Sequence, residues 1–361
     1  MADESNGDTC DGEECDVEEP GEDWSKDINY GEVQSTVPLE LKDFALSGAF
    51  MLVVIAIVYY TYRTKGESRL WARTETFVVM VYGLSCYFIP EAMYQNFTML
   101  RLDNAHIFLI QLIGTILISL GAVRLCSEGT DDNSVHSSLF FSRFLGGAVL
   151  LMTLIADQVS CHYSSNDHLL SDQHIVIPIL GCALWVAGNF MMLWQFENRG
   201  RLCTHATEVN SRLGAGILID LISTMSLIFW CYGYPGISYH SMRATGSKVD
   251  GVHIHLVKTL AALAFINALH GIACLRFFDD DDKQPFLFGQ IVTYVLLIPL
   301  LVGQTTVLDR RSVGFAYTVL FILLLNAANA YFYRGWHYNR RCPSMKQEDK
   351  PPQKEKVGPC N

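Results

Sequence analysis

The chain has 361 residues, of which 50% are hydrophobic and only 17% charged, and its formal net charge is −11. A soluble domain carries about 25% charged residues, so the composition argues against an ordinary soluble protein. The eleven cysteines show no paired metal-binding spacing, which argues against a disulfide framework or a thiolate zinc site. The acidic balance also gives no basic surface for a nucleic-acid partner.

The acidic residues are concentrated at the N-terminus. Residues 1–43 hold 15 Asp and Glu against two Lys and lack apolar periodicity, so we predict an acidic, disordered tail. Residues 44–333 are predicted to form a transmembrane helical domain. Residues 334–361 are predicted to form a basic, Pro- and Lys-rich cytoplasmic tail.

The apolar stretches predict an all-α fold, a polytopic transmembrane helix bundle. A helix satisfies its own backbone hydrogen bonds in lipid, and about 20 apolar residues cross the hydrocarbon. The longest stretches are apolar on every face, whereas the helices of a soluble bundle carry an apolar stripe. We predict nine spans, roughly 44–62, 75–95, 106–125, 139–157, 174–195, 213–234, 255–275, 286–307 and 313–333, of which the second and fourth are the weakest.

The distribution of Lys and Arg predicts the orientation. With the N-terminus outside or luminal, 18 of the 26 Lys and Arg lie in inner segments, as the positive-inside rule requires. The one N-x-S/T sequon begins at Asn96 and then falls in an outer loop, which makes Asn96 a glycosylation candidate. We therefore expect a multi-pass protein of the plasma membrane or a secretory-pathway membrane, with a cytoplasmic C-terminus.

Similar phrases indicate an internal repeat. "SRFLGGAVLL" at 142–151 and "SRLGAGILID" at 211–220 share three of ten residues. After one anchor span, the remaining eight spans form four two-helix units, the first three of which have second helices that begin at His106, His174 and His255. We predict four tandem parallel helical hairpins, related by an axis along the membrane normal.

Polar residues within the predicted spans are the candidate site. Asp220 and His270 lie at similar depths on the two helices of one hairpin, Asn267 shares the face of His270, and Asn189 takes the position equivalent to His270 in the second hairpin. Ionisable residues in a membrane mark proton or cation pathways. The alternative is a polar clamp between helices, worth about 0.6 kcal/mol and up to about 1–2 kcal/mol.

No metal site, catalytic residue or cofactor is predicted. The nearest approach to a metal site is an outer-loop group, Asp157, His162, His168 and His174, with further donors at His240, Asp250, His253 and His255. Zn²⁺ or Cu²⁺ accepts such donors, but the spacing matches no closed site.

The sequence leaves three functions open. A translocator of a small solute, or of an ion coupled to protons, fits the polar groups at shared depth. A non-catalytic membrane scaffold or assembly partner is the alternative, and an intramembrane enzyme acting on lipid is the third. No catalytic motif is present, so we expect no enzymatic activity. The expected partners are the lipid bilayer and a small solute or ion, and the sequence does not specify an oligomeric state.

Overall fold

The computed structural model describes nine segments of the chain, which are 68–94, 98, 102–130, 132–163, 172–195, 212–234, 251–277, 280–303 and 310–338. The predicted anchor span 44–62, the predicted N-terminal tail, Asn96 and residues 339–361 lie outside these residues, whereas residues 334–338 of the predicted C-terminal tail continue the last helix. Within them the chain is helical and has no β-strand.

The described residues form nine helices and one short 3-10 turn. Their bounds are α1 Ser68–Phe88, α2 Pro90–Tyr94, α3 Asn104–Cys126, α4 Asn133–Tyr163, α5 Asp172–Gln195, α6 Arg212–Gly233, α7 Gly251–Cys274, α8 Asp280–Gly303 and α9 Arg310–Tyr338, with a single 3-10 turn at Ser127–Gly129. Asp103 caps the start of α3, where its carboxylate accepts the His106 backbone N–H and its own N–H is accepted by the His106 ring. Such a reciprocal cap satisfies two backbone donors that the helix itself leaves open.

Seven of these helices are long and apolar enough to cross a membrane, judged by length and composition, and they correspond to the last seven predicted spans. The second predicted span, 75–95, differs from the structure. Its helix α1 begins earlier, at Ser68, and ends at Phe88. A new short helix begins at Pro90, because proline has no backbone N–H to continue the preceding helix.

Two helices form the centre of the bundle. α3 and α7 pack against each other, and their most apolar stretches are 83% and 72% buried. Around them, α3 contacts α1 and α8, while α7 contacts α6 and α4. α5 packs on α4 and touches α1, and α9 packs on α8 and touches α6. Each of the four predicted hairpins is therefore a pair of contacting helices, and two of them contribute a central helix.

The outer helices expose apolar side chains. Phe77 of α1, Phe229 of α6 and Phe315 of α9 are 69%, 61% and 73% exposed. Large apolar surface of this kind is rare on a soluble monomer. A bundle that is apolar outside and carries its polar groups inside is the arrangement that lipid favours.

Glycines set the closest helix contacts. A Cβ added at Gly114 of α3 would lie 2.7 Å from the Gly83 carbonyl oxygen and 2.8 Å from the Tyr87 backbone nitrogen, both in α1. Backbone atoms cannot rotate away, so the helices approach this closely only because Gly83 and Gly114 have no side chains. Small residues serve the same purpose in helix pairs within membranes.

We predict that Gly114→Ala destabilises the bundle by about 1–3 kcal/mol, the usual cost of overpacking. The matched control is Gly181→Ala in α5, where an added Cβ has nothing within 4 Å. The measurement is the melting temperature of each purified variant in detergent. Equal melting temperatures for the two variants would contradict the close α1–α3 contact.

Candidate functional site

The most buried charges form an ion pair between α1 and α4. A guanidinium nitrogen of Arg143 lies 2.7 Å from the Glu75 carboxylate, and the side chains are 2% and 1% exposed. A second guanidinium nitrogen of Arg143 donates to the Leu120 carbonyl of α3 at 2.8 Å. Paired and hydrogen-bonded charges of this kind are the form in which ions are tolerated away from water.

Two side chains of α5 complete the surroundings of Glu75. The indole nitrogen of Trp185 donates to the carboxylate at 2.6 Å, and the amide of Asn189 donates to the same oxygen at 3.2 Å. Asn189, a predicted site residue, is fully buried. Its partner is thus an acid in the first hairpin, and no side-chain hydrogen bond joins it to Asp220 or His270 among the described residues.

Arg124 lies close to this pair and completes what we term the arginine cluster, Glu75, Arg124 and Arg143. Its guanidinium lies 4.6 Å from the centre of the Phe140 ring and 3.2 Å from Nδ1 of His136. A cation over an aromatic face is attracted by the ring quadrupole, more strongly when water is excluded. Arg124 is 3% exposed, so α3 and α4 hold two buried cations against one carboxylate.

Asp220, on α6, occupies a different environment. It is fully buried, and the Tyr294 hydroxyl donates to its carboxylate at 3.0 Å. The Asn326 amide lies beside the same carboxyl group and donates to the Gly216 carbonyl at 3.0 Å. These side chains from α8 and α9 are neutral, so no cation among the described residues balances an ionised Asp220.

His270 and Asn267 are buried on α7, 3% and 4% exposed. Nε2 of His270 lies 3.5 Å from the Cys274 sulfur, and the ring packs 5.8 Å from that of Phe286. No hydrogen bond joins His270 to Asp220 within the described part of the chain. The structure therefore gives the two main sequence candidates separate surroundings.

A second group of ionisable residues lies where α4 ends and α7 begins. The Asp157 carboxylate lies 2.6 Å from Nδ1 of His255 and accepts a hydrogen bond from Lys258 at 3.0 Å. Both carboxylate oxygens are thereby engaged by α7. Asp157 was the described member of the weak metal-site group, and the side chains of the other three, His162, His168 and His174, lie outside the described residues.

The same end of the bundle carries a third group, Asp103, His106 and His253, and we call it the histidine end. Burial works to raise the pKa of Asp103, but the hydrogen bonds and charge of His106 and the charge of His253 outweigh it and hold the pKa at about 2. Asp103 is therefore ionised at neutral pH. The ring of His106 packs on that of His253, whereas His255 pairs with Asp157.

One cavity, of about 260 Å³, opens where α3 ends and α8 begins. Cys126, Thr130, Asp282 and Pro285 contribute to its wall. The predicted site residues Asp220, His270, Asn267 and Asn189 do not line it. These four residues are at most 4% exposed, so packed helices enclose them.

Sequence reasoning missed Glu75, the acid at the centre of the arginine cluster. Glu75 falls at the start of a weak predicted span, beside two arginines, where a charge is expected to face water. One feature of the sequence could have indicated it. Arg143 lies within another predicted span, and a cation there needs a buried acidic partner.

Comparison with known proteins places the chain in a family. A family model described as a domain of unknown function, DUF8292, matches residues 73–335, and the chain belongs to that family. The match begins in α1 and ends in α9, so it covers the whole described bundle. No curated protein and no solved structure matches the chain.

We predict that Glu75→Gln destabilises the protein by about 3–5 kcal/mol, because it leaves the Arg143 charge buried without its counter-ion. The double variant Glu75→Gln/Arg143→Gln removes both charges, so its loss is smaller than the sum of the single losses. The free energy of unfolding is measured by SDS titration of the detergent-solubilised protein.

The control for these single and double variants is Arg73→Gln. Arg73 pairs with Glu128 at 3.3 Å, but its side chain is 67% exposed, so its loss costs less than about 1 kcal/mol. Additive losses for Glu75 and Arg143 would show that the two residues do not act as a pair.

Proposed function

We propose that this member of the DUF8292 family is a multi-pass membrane protein that translocates a small solute or ion in exchange for, or together with, protons. Seven helices suited to a membrane support the first part of the proposal. Helix α1 is not one of these seven and the predicted span 44–62 lies outside the described residues; we propose that both also cross the membrane, which would give the nine spans predicted from the sequence. The translocation part rests on the buried acids.

The bundle is proposed to consist of two halves of the same design. The first half is α1–α5 and the second is α6–α9. The contacts α1–α3, α4–α5 and α1–α5 of the first half are matched by α6–α7, α8–α9 and α6–α9 of the second, and α3 meets α7 between the halves. Each half has four long helices, so both would have the same orientation, as in transporters built from parallel repeats.

The sequence supports this pairing of the first hairpin with the third. In α1, Glu75 precedes Cys86-Tyr87-x-x-Pro90 by eleven residues, and in α6 Asp220 precedes Cys231-Tyr232-x-x-Pro235 by the same interval. Next along the chain, Asp103-x-x-His106 is matched by Asp250-x-x-His253. The four tandem hairpins predicted from the sequence would then form two pairs, in which the first hairpin is equivalent to the third and the second to the fourth.

The proposed function rests on the difference between the two matched acids, Glu75 and Asp220. Glu75 is balanced by Arg143 at 2.7 Å, whereas Asp220 is fully buried and its partners among the described residues, Tyr294 and Asn326, are neutral. A buried carboxylate without a counter-ion carries a proton or holds a cation, since an isolated ion in a low-dielectric site costs several kcal/mol. We therefore propose Asp220 as the group that exchanges a proton or cation when the halves move.

We predict that Asp220→Asn abolishes proton movement in proteoliposomes. Wild-type protein is reconstituted with an internal pH-sensitive dye, and uptake is followed under an imposed potassium diffusion potential, negative inside, with Na⁺ or Mg²⁺ as the external cation. Asn preserves the size of Asp220 and accepts the Tyr294 hydrogen bond, so the fold persists while the exchangeable proton is lost. Ser223→Ala on the same helix, whose hydroxyl bonds only the Ile219 carbonyl, is the control.

Two results would contradict this function. Proton uptake equal to that of protein-free liposomes in every cation would favour the scaffold. An Asp220→Asn variant that melts at the wild-type temperature and keeps wild-type flux would remove Asp220 from the pathway. An intramembrane enzyme acting on lipid would instead release a product from the vesicle lipids, which thin-layer chromatography of the same samples detects.

We predict the orientation with the N-terminus and the histidine end outside. On intact cells, an N-terminal epitope is then accessible to antibody, and Cys126, an exposed cysteine at the other end of α3, is not labelled by an impermeant maleimide. A glycan removed by glycosidase and lost in Asn96→Gln would support the same sidedness. Labelling that disappears in Cys126→Ser on intact cells would invert it.

A further inference from the structure

The histidine end holds three metal-binding side chains in one place. Ligand atoms of Asp103, His106 and His253 all lie within 4.8 Å of one another. The Asp103 carboxylate lies 2.9 Å from Nδ1 of His106 and 3.7 Å from Nε2 of His253. Ligands of a tetrahedral ion with bonds of 2.0–2.1 Å are about 3.3 Å apart, which lies between these two distances.

The surroundings favour an ion over a simple helix cap. His106 and His253 are 2% and 3% exposed, whereas the Asp103 side chain is 35% exposed. Two imidazoles are thus held in the bundle while the carboxylate leaves a route from solvent. Nδ1 of His106 accepts the Asp103 N–H at 3.1 Å in the helix cap, so an ion bound at this nitrogen would replace that one hydrogen bond.

The two rings come from the two central helices. Their centroids are 3.8 Å apart with an interplanar angle of 31°. Two imidazoles on one tetrahedral ion have centroids about 5 Å apart, given zinc–nitrogen bonds of 2.0–2.1 Å. A side-chain rotation that separates the rings by roughly 1 Å would therefore open the site without moving the helices.

We propose that Asp103, His106 and His253 bind a zinc ion that joins α3 to α7 at the histidine end. Two histidines and one carboxylate are a ligand set that zinc accepts, with a fourth position left for water or a solute. Because His106 belongs to the first half and His253 to the second, bound zinc would hold this end of the α3–α7 contact closed. This site is separate from Asp220 and does not depend on the proposed translocation.

The test is zinc titration of the purified full chain in detergent, by isothermal calorimetry and by melting temperature. Wild-type protein is expected to bind zinc and to melt at a higher temperature with it. His106→Gln and His253→Gln are each expected to weaken this binding at least about 100-fold, because loss of even an outer partner of a metal ligand costs 10–100-fold. His255→Gln is the matched control, since His255 lies two residues further along α7 and pairs with Asp157.

A ligand exchange keeps the proposal testable if the glutamine variants fold poorly. In His253→Cys, bound Co²⁺ should show a sulfur-to-metal absorption band that wild type and His255→Cys lack. The proposal is overturned if wild type binds no zinc, if the His106→Gln/His253→Gln double variant binds it as wild type does, or if the cysteine variant shows no new band. The second of these results would assign the ion to histidines outside the described residues.

Discussion

α3 and α7 pack against each other through the middle of the bundle, and the other long helices are arranged around that contact. Both central helices are mostly apolar and mostly buried, so each is surrounded by other helices. Glycines let the neighbouring helices approach this pair closely: an added Cβ at Gly146 of α4 would lie 2.3 Å from Ile266 of α7, and one at Gly289 of α8 would lie 2.3 Å from Val123 of α3. The Ser119 hydroxyl also donates to the Gly289 carbonyl at 2.7 Å. These contacts fix the positions of α4 and α8 on opposite partners of the central pair.

The burial of the central helices determines how charge is distributed. A polar group on a buried helix must find its partner on a neighbouring helix, because water is absent. Glu75 finds Arg143, Trp185 and Asn189, whereas Asp220 finds Tyr294 and Asn326. Each acid is therefore bound by the second hairpin of its own proposed half, α4 and α5 for Glu75, and α8 and α9 for Asp220. The two environments differ by one cation, and under the proposed pairing that difference gives the halves unequal chemistry within a common arrangement.

Much of the fold could be predicted from the sequence, because apolar length is a local property. The last seven predicted spans correspond to α3–α9, with ends that differ by a few residues, and α4 extends to 31 residues because its polar ends continue the helix. The side chains that contact each other from helices distant in the sequence could not be predicted in the same way. Asp220 and His270 share a depth, but Asp220 faces Tyr294, 74 residues along the chain, and depth along an axis says nothing about rotation around it. His253 and His255 likewise point to different neighbours, α3 and α4, and only packing distinguishes them.

The two ends of the α3–α7 contact have opposite requirements. At the histidine end, ionised Asp103 and two imidazoles meet beside solvent, so charge there can be balanced by an ion that enters from outside the bundle. Toward the other end, the cations Arg124 and Arg143 are held within the bundle by Glu75, His136 and the Phe140 ring. Separating this cluster would leave unpaired charges in an apolar interior, so it favours fixed contacts among α1, α3 and α4. The histidine end instead links α3 and α4 to α7, through the stacked rings of His106 and His253 and through the pairs that Asp157 forms with His255 and Lys258.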